Sequence, residues 1–308
     1  MTEWQILISD PIAPQGVDLL AQHARVLQGS PDAHLGNIDA LIVRSATRVG
    51  RERLQAGTPR LKVIGRAGVG VDNIDIESAR ELGVRVVNAP HATSTAVAEH
   101  TFALMLSLCR HIPEATRRMR AGEWPKKELI GSELSGKTLG IIGLGRIGTE
   151  VAQRATAFGM RVLSYDPYLD QEQQARCGAQ GCALDALLEQ SDFITLHLPL
   201  TEETAGLLDR SAIKQLKPSA RIISTARGGL IDEDALLDSL RSGQLAGAAL
   251  DVFANEPPGD NGLIDHPAVI TTPHIAGQTV EAQRRVAVDI AEEVLAALGG
   301  KPLRWAIS

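Results

Sequence analysis

The feature that most restricts this chain is a glycine loop, Gly143-Leu144-Gly145-Arg146-Ile147-Gly148, which directly follows the apolar run Thr138–Ile142. A G-x-G-x-x-G spacing alone carries little. Here it leaves a candidate strand and opens a candidate helix over 147–158, the setting in which the motif binds a dinucleotide. Gly143 permits the tight turn, Gly145 lets the backbone approach a pyrophosphate, and Gly148 lets helix and strand pack closely. The helix start, at Arg146 and Ile147, then offers unpaired N–H groups to the anion. Asp166 ends the next candidate strand, 161–165, and lies 23 residues after Gly143. An acid at about that distance accepts hydrogen bonds from an adenosine ribose and repels a 2′-phosphate. No Lys or Arg follows it directly, so the pattern favours NAD over NADP.

Around this loop, short β-rich runs alternate with helical stretches, the signature of an α/β fold on parallel sheets. Strands are expected at 5–9, 40–44, 62–65 and 84–88, and helices at 15–22 and 76–82, the second stopping at Gly83. Asn88-Ala89-Pro90 breaks the pattern. Residues 95–111 then read as a helix so apolar that it must be buried in a core or against a second subunit. A second series of strands follows at 138–142, 161–165, 193–196, 221–224 and 248–251, and 279–298 reads as one terminal helix ended by Gly299-Gly300. A chain of 308 residues is long enough for two such domains.

Composition narrows the partners. A net charge of −6 argues against nucleic acid or a membrane surface. The longest apolar run, 102–109, is too short to span a bilayer. Met1-Thr2-Glu3-Trp4 shows no secretory pattern, so a cytoplasmic protein is expected. Cys109, Cys177 and Cys182 are an odd set that suits reduced thiols, and without neighbouring His or Cys ligands no metal is expected.

Three polar segments lie just past candidate strands, where open α/β sheets keep their sites: 225–229, 251–257 and 272–277. They carry Arg227, Glu256 and His274. An arginine fork can hold a carboxylate and polarise a carbonyl. A histidine can exchange a hydroxyl proton as hydride moves to a nicotinamide, and a carboxylate can orient it. Singly, each has a plainer reading as a surface arginine, a loop acid or a satisfied loop histidine. Together they form the set that a hydroxy-acid dehydrogenase needs. His23, His34 and His111 read as surface or helix-end residues.

On these segments the chain resembles the D-2-hydroxyacid dehydrogenase family, and within it the phosphoglycerate-oxidising branch. The likeness runs nearly end to end, through Val43-Arg44-Ser45-Ala46-Thr47, residues 65–73, 131–148 and 247–253, Pro257-Pro258 and the three polar segments. It implies two flavodoxin- or Rossmann-like domains with the active site in the cleft between them. The substrate-binding domain would be 1–89 plus 278–308, the NAD-binding domain 90–277, with hinges near Ala89-Pro90 and Gly277. By resemblance, Arg227 binds the substrate carboxylate and keto oxygen, His274 is the acid/base and Glu256 its partner. Asp251 matches the residue that holds the nicotinamide amide, and His197 and Pro199 the loop lining the cofactor. Thr204, Thr225, Ala226 and Gly277 are implied as further cofactor positions.

Arg44 and Ser45 fall where the branch binds the substrate phosphate, and the backbone of Val69 and Gly70 where the carboxylate docks. Lys126, after Trp124, stands where such enzymes often carry an arginine reaching the partner subunit's site, and it keeps the charge without the bidentate fork. A homodimer through the 95–111 helix is expected. Thr93 and Ser224 depart from the family, which usually has Asn at both positions, and Thr93 faces the substrate side. The implied reaction is NAD-dependent oxidation of 3-phospho-D-glycerate to 3-phosphohydroxypyruvate, the entry to serine synthesis. Alternatives are a glyoxylate or hydroxypyruvate reductase, which needs no phosphate pocket, and an NAD-sensing corepressor-like scaffold. With Ser308 directly after the terminal helix, no appended regulatory domain and no serine inhibition through one are expected.

Overall fold

Runs such as Ala40–Val43 and Phe193–Leu196 are buried along their whole length. Only a parallel sheet covered by helices on both faces buries strands in that way. The computed structural model describes residues 4–308, so the expectation made on Met1-Thr2-Glu3 lies outside the described residues. In chain order the elements are β1 (Trp4–Ile8), α1 (Pro14–Ala21), β2 (Ala24–Gln28), β3 (Ala40–Val43), α2 (Arg51–Gly57), β4 (Val63–Arg66), α3 (Ile76–Glu81), β5 (Arg85–Asn88), α4 (Ser94–Cys109), α5 (Ile112–Arg120), β6 (Thr138–Ile142), α6 (Arg146–Ala157), β7 (Arg161–Tyr165), α7 (Gln171–Arg176), β8 (Gln180–Gly181), α8 (Leu184–Gln190), β9 (Phe193–Leu196), α9 (Arg210–Lys214), β10 (Arg221–Ser224), α10 (Glu233–Arg241), β11 (Gly247–Leu250), β12 (Val269–Thr271) and α11 (Val280–Leu298).

The chain divides into two compact units. The first holds residues up to Ser94 together with Gly277–Ser308, and the second holds Thr95–Ala276. The sequence analysis drew these divisions at 89/90 and 277/278. Thr93 lies in the first unit, where its Cγ2 would be 3.4 Å from a Cβ on Gly277.

In the first unit a parallel sheet runs in the order β2-β1-β3-β4-β5. The terminal helix α11 packs on it because two glycines leave room. A Cβ on Gly65 of β4 would lie 2.6 Å from Val294 Cγ2, and one on Gly16 of α1 would lie 2.4 Å from the Ala287 carbonyl oxygen. Ile290, Ala291 and Val294 thereby join Ile6, Ile42 and Val63 in one core. Buried Glu293 accepts from Arg304 Nε at 2.7 Å and from the N–H groups of Arg304 and Trp305, which turns the last residues back along β5.

The second unit holds a seven-stranded parallel sheet, β12-β11-β10-β9-β6-β7-β8. The order reverses between β6 and β9, and α/β sheets bind ligands at the carboxyl ends beside such a reversal. The glycine loop leaves β6 there and His197 leaves β9.

The expected strands match to within a residue or so. The half-exposed β2, the three-residue β12 and helix α5, which has no buried residue, were not anticipated. Helix α4 owes its apolarity to its own unit, since Phe102, Met105, Leu108 and Cys109 lie in that core. The large apolar side chains left exposed near it come later, at Ile112, Met119, Trp124 and Ile130. Among the described residues, no helix is long and apolar enough to cross a membrane and no cluster of metal-ligating side chains occurs. Cys109 is buried, and Cys177 and Cys182 are free thiols that pack against opposite cores of the second unit.

Candidate active site

The glycine loop is tight for steric reasons. Gly143 has φ 88° and donates its N–H to the Tyr165 carbonyl at 2.9 Å. A Cβ on it would lie 2.7 Å from the His197 carbonyl oxygen, and a Cβ on Gly148 would lie 2.3 Å from the Gly143 carbonyl oxygen. Gly145 differs. It caps α6 without a side-chain hydrogen bond, and no atom of another segment lies within 4 Å of its would-be Cβ. The open space and the uncapped N–H groups of Arg146 and Ile147 fit a pyrophosphate. Asp166 fastens the loop, accepting from the N–H of Leu144 at 2.9 Å and of Tyr168 at 3.0 Å. Its remaining lone pairs stay free for ribose hydroxyls, so these residues fit NAD.

Beside the loop, His197 Nε2 pairs with Thr195 Oγ1 at 3.0 Å, while its buried Nδ1 has no partner. Burial pushes the His197 pKa down to about 3, so the ring is neutral at ordinary pH. Thr204 Oγ1 donates to the Pro199 carbonyl at 2.7 Å and closes the 199–204 turn. Past β10, Thr225 Oγ1 lies 3.1 Å from Thr101 Oγ1 on α4, Ala226 is buried, and the buried Ser224 hydroxyl has no partner.

Arg227 and His274 come from neighbouring loops. A Cβ on Gly228 would lie 1.8 Å from the Phe253 carbonyl oxygen, so only glycine lets the arginine loop press against residues 253–254. His274 sits in the left-handed region at φ 54°. Its Nδ1 is 2.7 Å from Glu256 Oε2, and Glu256 Oε1 accepts the Phe253 N–H at 3.2 Å. An ionised carboxylate only accepts, so this pair holds the His274 proton on Nδ1 and leaves Nε2 to exchange a proton with a ligand. A cleft of about 390 Å³ opens here, lined by Asp251, Phe253, Glu256, Thr272, Pro273 and His274 among others.

Asp251 has no exposed surface. Its Oδ1 accepts from Thr272 Oγ1 at 2.5 Å and from the Ile275 N–H at 2.9 Å, and its Oδ2 from the Ala276 N–H at 2.8 Å. His100, on α4, stands behind with Nε2 3.1 Å from Thr272 Oγ1 and 3.6 Å from Asp251 Oδ1. Burial opposes the charge on Asp251, but the nearby His100 ring, the Thr272 hydroxyl and the two backbone amides outweigh it and hold the carboxyl below its ordinary range. Sequence reasoning missed His100. Its only signal is a histidine inside an apolar helix.

The first unit builds its own fixed turn. Buried Asp10 accepts from the Arg44 N–H at 2.6 Å and from Thr47 Oγ1 at 2.8 Å, and Asn73 Nδ2 donates to the carbonyls of Arg44 and Thr47. The Arg44 guanidinium reaches Gln278 Oε1 at 3.2 Å, and Ser45 is exposed. Asn88 Nδ2 donates to the Val69 carbonyl at 2.6 Å and Ala89 N–H to the Gly68 carbonyl at 2.9 Å, which pins the 68–70 loop. Lys126 is exposed two residues beyond Trp124.

The His197 environment gives a pH dependence of stability. Its folded pKa lies below the unfolded value of about 6.5, so as pH falls the unfolded chain takes up the proton first. Stability is therefore full above that value and declines as pH drops through it toward the folded pKa. Between about pH 6 and 4.5, urea unfolding of the parent should lose roughly 1 kcal/mol per pH unit more than His197→Asn. Parallel pH slopes for the two proteins would overturn this.

Comparison with known proteins agrees with the geometry. Residues 102–276 match the family described as D-isomer specific 2-hydroxyacid dehydrogenase, NAD binding domain. The D-3-phosphoglycerate dehydrogenase of Bacillus subtilis is 48% identical over 310 residues, which is 99% of this chain and 59% of that protein. The chain thus spans little more than half the length of that relative. A crystal structure of a Thermus thermophilus protein is similar with a TM-score of 0.89 at 35% identity, over 99% of this chain and 100% of that one. A glyoxylate reductase from Paecilomyes thermophila is similar with a TM-score of 0.89 at 31% identity, over 100% and 99% of the two chains. With an uncapped glycine loop, a ribose-type acid and a histidine–glutamate pair all inside the matched region, the chain belongs to the D-isomer specific 2-hydroxyacid dehydrogenase family.

Proposed function

We propose that this protein oxidises 3-phospho-D-glycerate to 3-phosphohydroxypyruvate with NAD, and runs the reduction in reverse. The 2.7 Å His274–Glu256 pair carries this reading, because it presents an unengaged imidazole nitrogen within a family that binds NAD. When bound, NAD supplies the acceptor for the hydride leaving C2. Arg227 binds the substrate carboxylate and the C2 oxygen with its planar fork. His274 Nε2 takes the hydroxyl proton as the carbonyl forms, and Glu256 stabilises the resulting imidazolium. Water is limited by the buried loops on either side, 224–226 and 250–253.

The choice of a phosphorylated acid rests on likeness to the phosphoglycerate dehydrogenases and on Arg44, whose backbone is fixed by Asp10 and Asn73. A held arginine beside the Ser45 hydroxyl suits a dianion. The Val69 and Gly70 amides are assigned to the carboxylate. A second reading, a glyoxylate or hydroxypyruvate reductase, is favoured by Thr93, which departs from the family's usual Asn, and by the likeness to a glyoxylate reductase.

We place the work in the cytoplasm and in a homodimer. The exposed apolar side chains of 112–130 support a second copy as partner, with Trp124 77% and Ile130 80% exposed. Lys126 on that stretch is assigned to the partner's substrate.

Initial rates of NADH formation should favour 3-phosphoglycerate over D-glycerate and D-lactate. Arg44→Ala should erase that preference while sparing the unphosphorylated acids, and an equal loss on all three substrates would defeat the phosphate role. General acid–base catalysis is worth about 10²–10⁴, so His274→Ala should lose that factor in kcat and still bind NADH. Near-parental turnover would remove His274 from the mechanism. Sedimentation velocity should give a dimer that Trp124→Asp with Ile130→Asp converts to monomer; an unchanged dimer would move the interface elsewhere.

A further inference from the structure

We infer that His100, on α4, is a positioning residue for His274, acting through Thr272 and Asp251. This rests on the proposed role of His274 as the acid/base. The polarity of the chain follows from donor counting. Thr272 has one hydroxyl hydrogen, and at 2.5 Å from Asp251 Oδ1 that hydrogen must point to the carboxylate. Its oxygen is then the acceptor toward His100 Nε2 at 3.1 Å, so His100 carries a proton on Nε2. The donors run in one direction, from His100 to Thr272 to Asp251.

Asp251 passes this order on. Its other acceptor positions take the N–H groups of Ile275 and Ala276, the two residues after His274, while its backbone carbonyl takes the His274 N–H at 2.9 Å. The catalytic histidine is therefore gripped on both sides by one residue, and it needs to be. A non-glycine residue at φ 54° is strained and persists only where its surroundings over-determine it. If Oδ1 swings away, the loop relaxes and the 2.7 Å contact of His274 with Glu256 loosens. The alternative is that His100 merely fills a polar gap in the second unit's core.

The clamp can be read in the protein without cofactor. Amide hydrogen exchange at Ile275 and Ala276 should speed up by roughly tenfold in His100→Leu and in Thr272→Val, the loss of one charge-assisted hydrogen bond. Thr272→Ser and His100→Gln, which restore a donor, should stay near the parent. In turnover of whichever 2-oxo acid the parent reduces, the two disruptive variants should lose about tenfold in kcat with substrate KM and NADH affinity within about twofold. The double variant should be no worse than either single one, because both break the same chain. Unchanged exchange in both disruptive variants, or additive kcat losses, would overturn the proposal. So would a fall in NADH affinity that tracks kcat. Should His100→Leu not fold, His100→Gln and Thr272→Val still decide, since equal exchange in these two would also overturn it. A parent inactive on every 2-oxo acid would sink the proposed function instead, and the exchange data would still report on the clamp.

Discussion

Much of the second unit hangs on one buried carboxylate. An ionised Asp251 with no exposed surface would be prohibitively costly unless both of its oxygens met donors. The donors it recruits are the Thr272 hydroxyl and the amides of Ile275 and Ala276, all on the single loop that follows β12. Satisfying the charge and fixing the histidine loop are thus the same event. The requirement reaches further, since Thr272 must in turn accept from His100, which ties α4 to the carboxyl ends of β11 and β12.

Missing side chains do a comparable job by allowing close approach. The contact of Gly148 with Gly143 sets the angle at which α6 leaves β6, and Gly228 against Phe253 brings the arginine loop beside the histidine pair. In the first unit, Gly16 and Gly65 let α11 lie close on α1 and β4. Each is also a place where an added methyl would collide with a carbonyl or a packed side chain, and packed interiors have little room to yield.

These arrangements differ in how visible they were in the sequence. The glycine loop, Asp166 and the three polar segments could be read because each is local, with residues and supporting strand adjacent in the chain. The terminal helix could be read as one that returns to the first unit, but the surface it packs on could not, since Gly16 and Gly65 look like ordinary glycines until α11 is beside them. Helix α4 was legible only as apolar. Whether Phe102 and Met105 faced a core or a second subunit depended on where a sheet strung from seven separate segments would lie. His100 was hidden for the same reason, because its partner Thr272 is 172 residues away. The short edge strand β12 and helix α5, which has no buried residue, bury too little for hydrophobic periodicity to announce them.

The histidines of the second unit show how environment divides roles among identical side chains. His197 stands beside the glycine loop with its Nδ1 buried and without a partner, and desolvation keeps its ring neutral at ordinary pH. His100 is confined to donating from Nε2, because the only hydrogen of its neighbour is already committed to a carboxylate. Of these three, His274 is the one that is exposed and paired with a glutamate, which places its imidazole where a ligand can reach it. On the proposed mechanism, three copies of one residue type within the same unit serve as a spectator, a brace and an acid/base. The difference is made by the donors and acceptors that the strand ends bring to each ring.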